Sequence, residues 1–147
     1  MNQDFHDMLR ELSDSGAEFI VVGAYALAAH GTPRATGDID IWVKPTDENA
    51  KRVYTALAAF GAPLDQLTNR DLVTPGTVFQ IGVAPQRIDI LTQISGVEFD
   101  MAWKNRLKLE VEGITVNVLG RADFIANKRA SGRPKDLADI AYLEDAD

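Results

Sequence analysis

The apolar positions fall into short blocks with two different periods. Phe5, Met8, Leu9 and Leu12 recur at helical spacing, with Asn2 and Asp4 as capping residues and Gly16 as a stop, which predicts an opening amphipathic helix. Residues 19–22, Phe-Ile-Val-Val, are too few for a helix and β-branched, and read as a buried strand ending at Gly23. A short helix over 25–29 follows, broken at Gly31 and Pro33. Residues 38–43 then alternate polar and apolar, with Ile39, Ile41 and Val43 on one face, the period-two signature of a strand that ends at Pro45.

From 46 to 60 the period returns to that of a helix, with Val53, Leu57 and Phe60 on one stripe and Gly61 and Pro63 closing it. Residues 64–76 are polar and broken by Pro75, which predicts mostly loop with one helical turn. Strands are expected at 77–81 and 87–92, joined around Gly82 and Pro85, and a hairpin at 107–111 and 114–119 turning at Glu112 and Gly113. A helix over 122–130 breaks at Gly132 and Pro134 and resumes to residue 143, with Pro134 suited to a first turn. The pattern predicts an α+β fold, a mixed β-sheet flanked by helices that lie mainly on one side.

Size changes this picture little: 147 residues at 46% hydrophobic suit a single domain over 1–147. No apolar run approaches the roughly 18 residues of a membrane helix, and Asp4 and Asp7 replace the basic flank of a signal peptide, so a soluble, cytoplasmic protein is expected. The absence of cysteine excludes disulfides, thiolate metal sites and a cysteine nucleophile. A net charge of −7 argues against non-specific binding to duplex nucleic acid, which requires neutralising phosphates.

The candidate chemistry lies in the strands. Residues two apart share a face, so Asp38 and Asp40 project together while Ile39 and Ile41 turn to the core. Asp89, between Ile88 and Ile90, obeys the same rule on its own strand. A lone strand aspartate is ordinarily a solvated surface position; a set on one patch repels itself unless a cation neutralises it, and magnesium binds oxygen ligands of this kind. Aspartate is also depleted in strands, and a local conflict of this kind is expected at functional sites. Gly23-Ala24, directly after a buried strand and before a helix, offers backbone N–H groups to a phosphate, although a simple turn glycine is as good a reading.

Here the sequence resembles a known superfamily. Residues 19–31, FIVVGAYALAAHG, followed by Arg34, Thr36 and Asp38-Ile-Asp-Ile, look like the opening of the DNA polymerase β-type nucleotidyltransferases. They are similar in particular to small bacterial nucleotidyltransferase-like domains related to abortive-infection toxins. Gln80-Ile-Gly, Pro85, residues 87–92 (RIDILT), 95–99 (SGVEF) and 128–140 (KRASGRPKDLADI) extend the resemblance over nearly the whole chain.

The resemblance implies transfer of a nucleoside monophosphate from a triphosphate, ATP or another, to an acceptor hydroxyl on RNA, protein or a small molecule, with release of pyrophosphate. It implies two magnesium ions, with manganese as a substitute, held by Asp38, Asp40 and Asp89. Asp89 completes the shell of the ion that activates the acceptor and is a candidate for its proton. Gly23, Ala24, Arg34, Thr36 and Lys128 become nucleotide-binding candidates. Ala24 departs from the superfamily's serine or glycine, leaving the triphosphate to backbone N–H groups.

Each candidate also has a plain structural use: Arg34 and Thr36 as turn residues, and Lys128 as a helix-end cation with Asp136 and Asp139 as local partners. His30 reads as a helix-end residue, His6 as solvated, and Tyr25, Trp42, Tyr54 and Trp103 as core aromatics. The chain leaves little room for an acceptor-recognition domain, so a homodimer or partner protein is a further expectation. The competing reading is a catalytically silent nucleotide-binding or partner-binding module of a toxin–antitoxin-type system.

Overall fold

Six strands, ordered β3-β4-β2-β1-β6-β5, form one mixed sheet in the computed structural model, which describes residues 1–30, 37–83 and 86–145. The expected breaks at Gly31 and Pro33, and the turn residue Pro85, lie outside the described residues. Strand β1 (Phe19–Val22) runs antiparallel to β2 (Ile39–Val43) and parallel to β6 (Ile114–Val118). On one side β2 pairs parallel with β4 (Ile88–Leu91), which pairs antiparallel with β3 (Val78–Ile81); on the other, β5 (Leu107–Val111) closes the sheet against β6. The β5–β6 turn has positive φ at both Glu112 (49°) and Gly113 (87°), the conformation that matches the strands' twist in a two-residue hairpin.

Register in the centre is set by burial. Ile39, Ile41, Ile88 and Ile90 are all essentially buried, and each contributes roughly 1.5–3 kcal/mol by leaving water. A slip of one residue would expose all four and drive Asp40 and Asp89 into the core. On this face lie α1 (Gln3–Asp14), α2 (Gly23–Ala29) and α3 (Asp47–Phe60); Leu9 and Tyr25 gather with Val21, Ile39 and Val118. The single helical turn expected within 64–76 is a 3₁₀ segment at Asp71–Val73.

The opposite face is also covered, which corrects the expectation of helices mainly on one side. Trp42, two residues beyond Asp40 and 2% exposed, meets Phe99 edge-on at 4.9 Å, and Phe99 stacks on Trp103 at 5.8 Å. These belong to α4 (Phe99–Asn105), a helix the sequence reading assigns to no element. Its two buried residues, Phe99 and Ala102, are too few to establish a period, and it forms because Trp42 offers a surface to pack on. Helices α5 (Arg121–Ser131) and α6 (Pro134–Asp145) complete the chain, with Gly132 in the left-handed conformation ending α5. No helix among the described residues is long and apolar enough to cross a membrane.

One buried polar side chain stitches the fold together. Asn49, in the first turn of α3 and 2% exposed, accepts the Glu18 N–H at 2.7 Å and donates to the carbonyls of Glu18 and Lys44 at 3.0 Å each. It thereby ties α3 to the entry of β1 and the exit of β2. Asn49→Ala leaves the Glu18 N–H and the Lys44 carbonyl without this partner, and is expected to cost about 2–3 kcal/mol in urea unfolding. A loss below about 0.5 kcal/mol would show that water replaces the stitch.

Candidate active site

The pairing of β2 with β4 sets Asp40 directly opposite Asp89. Both carboxylates rise from the face opposite the buried isoleucines. Asp38 stands one residue before β2, where its Oδ1 accepts the backbone N–H of Arg87 at 3.1 Å. The structure thus brings the three aspartates onto one patch. Asp89 is buried, whereas Asp38 and Asp40 are partly exposed.

Arg87 occupies the centre of this patch, a role the sequence reading missed. Its Nε donates to Asp89 Oδ1 at 2.8 Å and its Nη2 to Asp89 Oδ2 at 3.1 Å, a bidentate pair. Nη2 also lies 3.5 Å from Asp38 Oδ2. The signal was present in the sequence, since Arg87 is two residues before Asp89 and so shares its face. These contacts, the hydrogen bond to Asp89 first, raise the guanidinium's pKa further.

Among the described residues, no arginine donates a hydrogen bond to Asp40. Its pKa is pushed up to about 6, first by burial, then by the negative charge of Asp89 and a hydrogen bond with it, then by Asp38; the positive charge of Lys128 acts in the opposite sense. Gly23 shapes this corner. Its φ of 70° favours glycine, and a Cβ there would overlap the Asp40 carboxylate, so the chain can turn from β1 into α2 beside Asp40 only with no side chain present. Ala24 follows in the first turn of α2.

Lys128, on α5, is largely buried. Its Nζ lies 3.4 Å from Asp136 Oδ1 and 4.0 Å from Asp139 Oδ2, and 5.3 Å from the centre of the Phe124 ring. Asp136 is fully buried and also receives Arg133, at 2.7 Å from Nε, and its carboxyl is held below the usual range chiefly by that bond. The local partners therefore hold Lys128 while its charge still reaches Asp40. Arg34 and Thr36 lie outside the described residues. His30 caps α2, its Nε2–H donating to the Leu119 carbonyl at 2.8 Å. His6 is tied more closely than expected, through Nε2 to the Glu112 carbonyl at 3.0 Å.

Among the described residues, no three acidic or histidine side chains form a ready-made metal cluster. The donors nonetheless fit a hard divalent cation: three carboxylates share a patch, Gly23 leaves Asp40 uncrowded, and Asp40 is raised by burial and by the neighbouring carboxylates. Asp38, Asp40 and Asp89 are the residues that would hold it, in competition with Arg87.

Two solved structures share this fold. TM1012 of Thermotoga maritima, a protein assigned to the nucleotidyltransferases, is 16% identical, with TM-score 0.62 over 97% of this chain and 91% of its own. The lincosamide antibiotic adenylyltransferase LnuA, solved with lincomycin bound, is 12% identical, with TM-score 0.62 over 98% of this chain and 96% of its own. Residues 3–144 match the family DUF6036, nucleotidyltransferases of unknown function, and the chain belongs to that family. No curated protein matches the sequence.

The Asp40 shift makes stability depend on pH. Its folded pKa of about 6 exceeds the unfolded 3.8, so the native state binds the proton more tightly and stability falls as pH rises through that window. The cost at pH 7.5 is on the order of 2–3 kcal/mol. In urea unfolding with EDTA, Asp40→Asn should be more stable than the parent at pH 7.5, with the advantage gone by about pH 4. Parallel pH curves for the two proteins would remove the shift from the account.

Proposed function

We propose that this protein transfers a nucleoside monophosphate, adenylate first among the candidates, from a triphosphate to an acceptor hydroxyl, with Asp38, Asp40 and Asp89 holding divalent metal. The observation that carries the reading is the direct pairing of Asp40 with Asp89, where burial and the neighbouring carboxylates raise the Asp40 pKa. Magnesium bound there would act as a Lewis acid on the phosphates and lower the acceptor's pKa.

The chain's own residues divide the remaining work. Gly23 and Ala24 present backbone beside Asp40, where triphosphate oxygens can approach without meeting a side chain. Lys128, held by Asp136 and Asp139, sets positive potential over the reacting phosphate. Arg87 neutralises Asp38 and Asp89 in the resting protein, and a proton-accepting role for Asp89 requires it to withdraw. Arg34 and Thr36 are proposed phosphate contacts on the strength of the family resemblance. The reaction is proposed to take place in the cytoplasm, where triphosphates are plentiful.

A second reading, a nucleotide-binding module without turnover in a toxin–antitoxin-type pair, draws support from Arg87 seated among the carboxylates. Incubation with each α-labelled triphosphate, magnesium and cell lysate tests both. Label should enter an acceptor with the parent protein and fall at least about 100-fold with Asp38→Asn or Asp40→Asn while circular dichroism stays unchanged. An active Asp38→Asn enzyme would sink the metal scheme, and magnesium-dependent binding without label transfer would select the second reading.

A further inference from the structure

On the Asp40 side of the sheet, α5 is fastened to the loop after β4. Asn127 of α5 donates to the Ser95 carbonyl at 2.9 Å, and Gly96 of that loop packs so closely that a Cβ there would lie 2.6 Å from that of Ala130. The sheet's own margin is open instead. Strand β5 ends the strand order, and among the described residues no strand pairs with its outer side.

The backbone groups on that side can be assigned residue by residue. Leu119, directly after β6, donates its N–H to the Val21 carbonyl at 3.0 Å, so the odd-numbered residues there turn toward β1 and Ile114, Val116 and Val118 toward β5. Their partners in the register are Val111, Leu109 and Leu107. Lys108 and Glu110 therefore present their N–H and C=O groups to the open edge, and both side chains are exposed.

An unpaired edge invites a further strand, and charge commonly guards against it. A guard of one sign would repel every copy of itself. Here the charges fall at every second residue as Arg106, Lys108, Glu110 and Glu112, two positive and then two negative. That order is complementary to its own reverse. With two β5 strands antiparallel and Leu109 opposite Leu109, Lys108 of each copy meets Glu110 of the other, and each of these pairs exchanges two backbone hydrogen bonds. The neighbouring registers that keep the outward groups in phase set Lys108 against Lys108 or Glu110 against Glu110. On the other face the same register brings Leu107, 36% exposed, against Val111 of the second copy.

We propose that β5 is a homodimer interface, in which two copies pair this strand antiparallel about a two-fold axis at Leu109 and join two six-stranded sheets into one. The axis stands perpendicular to the sheet, so both carboxylate patches open on the same side, seven strand spacings or roughly 34 Å apart. Each copy keeps its own Asp38, Asp40 and Asp89, and the pairing is independent of the nucleotidyl-transfer reading.

Strand pairing of this size buries little area, so sedimentation equilibrium of the full chain should show the dimer at about 10–100 μM. Lys108→Glu and Glu110→Lys each set two like-charged pairs across the axis and should weaken the dimer at least about tenfold, with circular dichroism unchanged. Mixed in equal amounts, the two variants should associate with each other, because every pair between them is then of opposite sign. The double variant should recover the parent's affinity. In amide hydrogen exchange, the N–H groups of Lys108 and Glu110 should gain protection as concentration rises, while that of Leu109, already bonded to β6, changes little. A chain that stays monomeric, a dimer indifferent to both reversals, a mixture that fails to associate, or a dimer whose Lys108 and Glu110 amides remain open to exchange would each overturn the assignment.

Discussion

Three carboxylates on one patch of sheet repel one another, and the surrounding structure is arranged around that repulsion. Ile39, Ile41, Ile88 and Ile90 fix the register that forces Asp40 against Asp89, so the conflict cannot relax by sliding the strands. Arg87 answers two of the three charges from within β4's own face. Lys128 answers part of the third from across the fold, at the cost of burying Asp136 and Asp139 to hold it. Among the described residues, no cation forms an ion pair with Asp40. That residue is the point at which a further cation would relieve the most unfavourable charge.

Gly23 belongs to the same arrangement. A side chain at this position would overlap the Asp40 carboxylate, and without one backbone and carboxylate share one corner. A substrate phosphate entering there would meet backbone on one side and the carboxylate patch on the other. Trp42, two residues beyond Asp40 on the same face, packs against Phe99 there.

Much of this was legible from periodicity. The alternation around Ile39 and Ile41 and around Ile88 and Ile90 placed the aspartates on a common face, because strand geometry leaves no other choice once the isoleucines are buried. Glu112-Gly113 announced the hairpin because few residue pairs turn that way. What escaped was set by partners distant in sequence. Helix α4 exists because Trp42 awaits it; Asn49 looked like any polar helix residue until β1 and β2 delivered two backbones to it. Arg87 could have been placed by the period-two rule, but its bidentate grip depends on the pairing of β2 with β4, which no local pattern specifies.

The close contact between Gly96 and Ala130 bears on how this chain can diversify. Because the loop and α5 meet through a glycine and an alanine, there is no slack for one to drift while the other stays. A lineage that reshapes the loop around Gly96 must carry the lysine-bearing helix with it. Change at this seam is therefore expected to come as paired substitutions, whereas the exposed side chains of Gln93 and Glu98 can be exchanged without moving it.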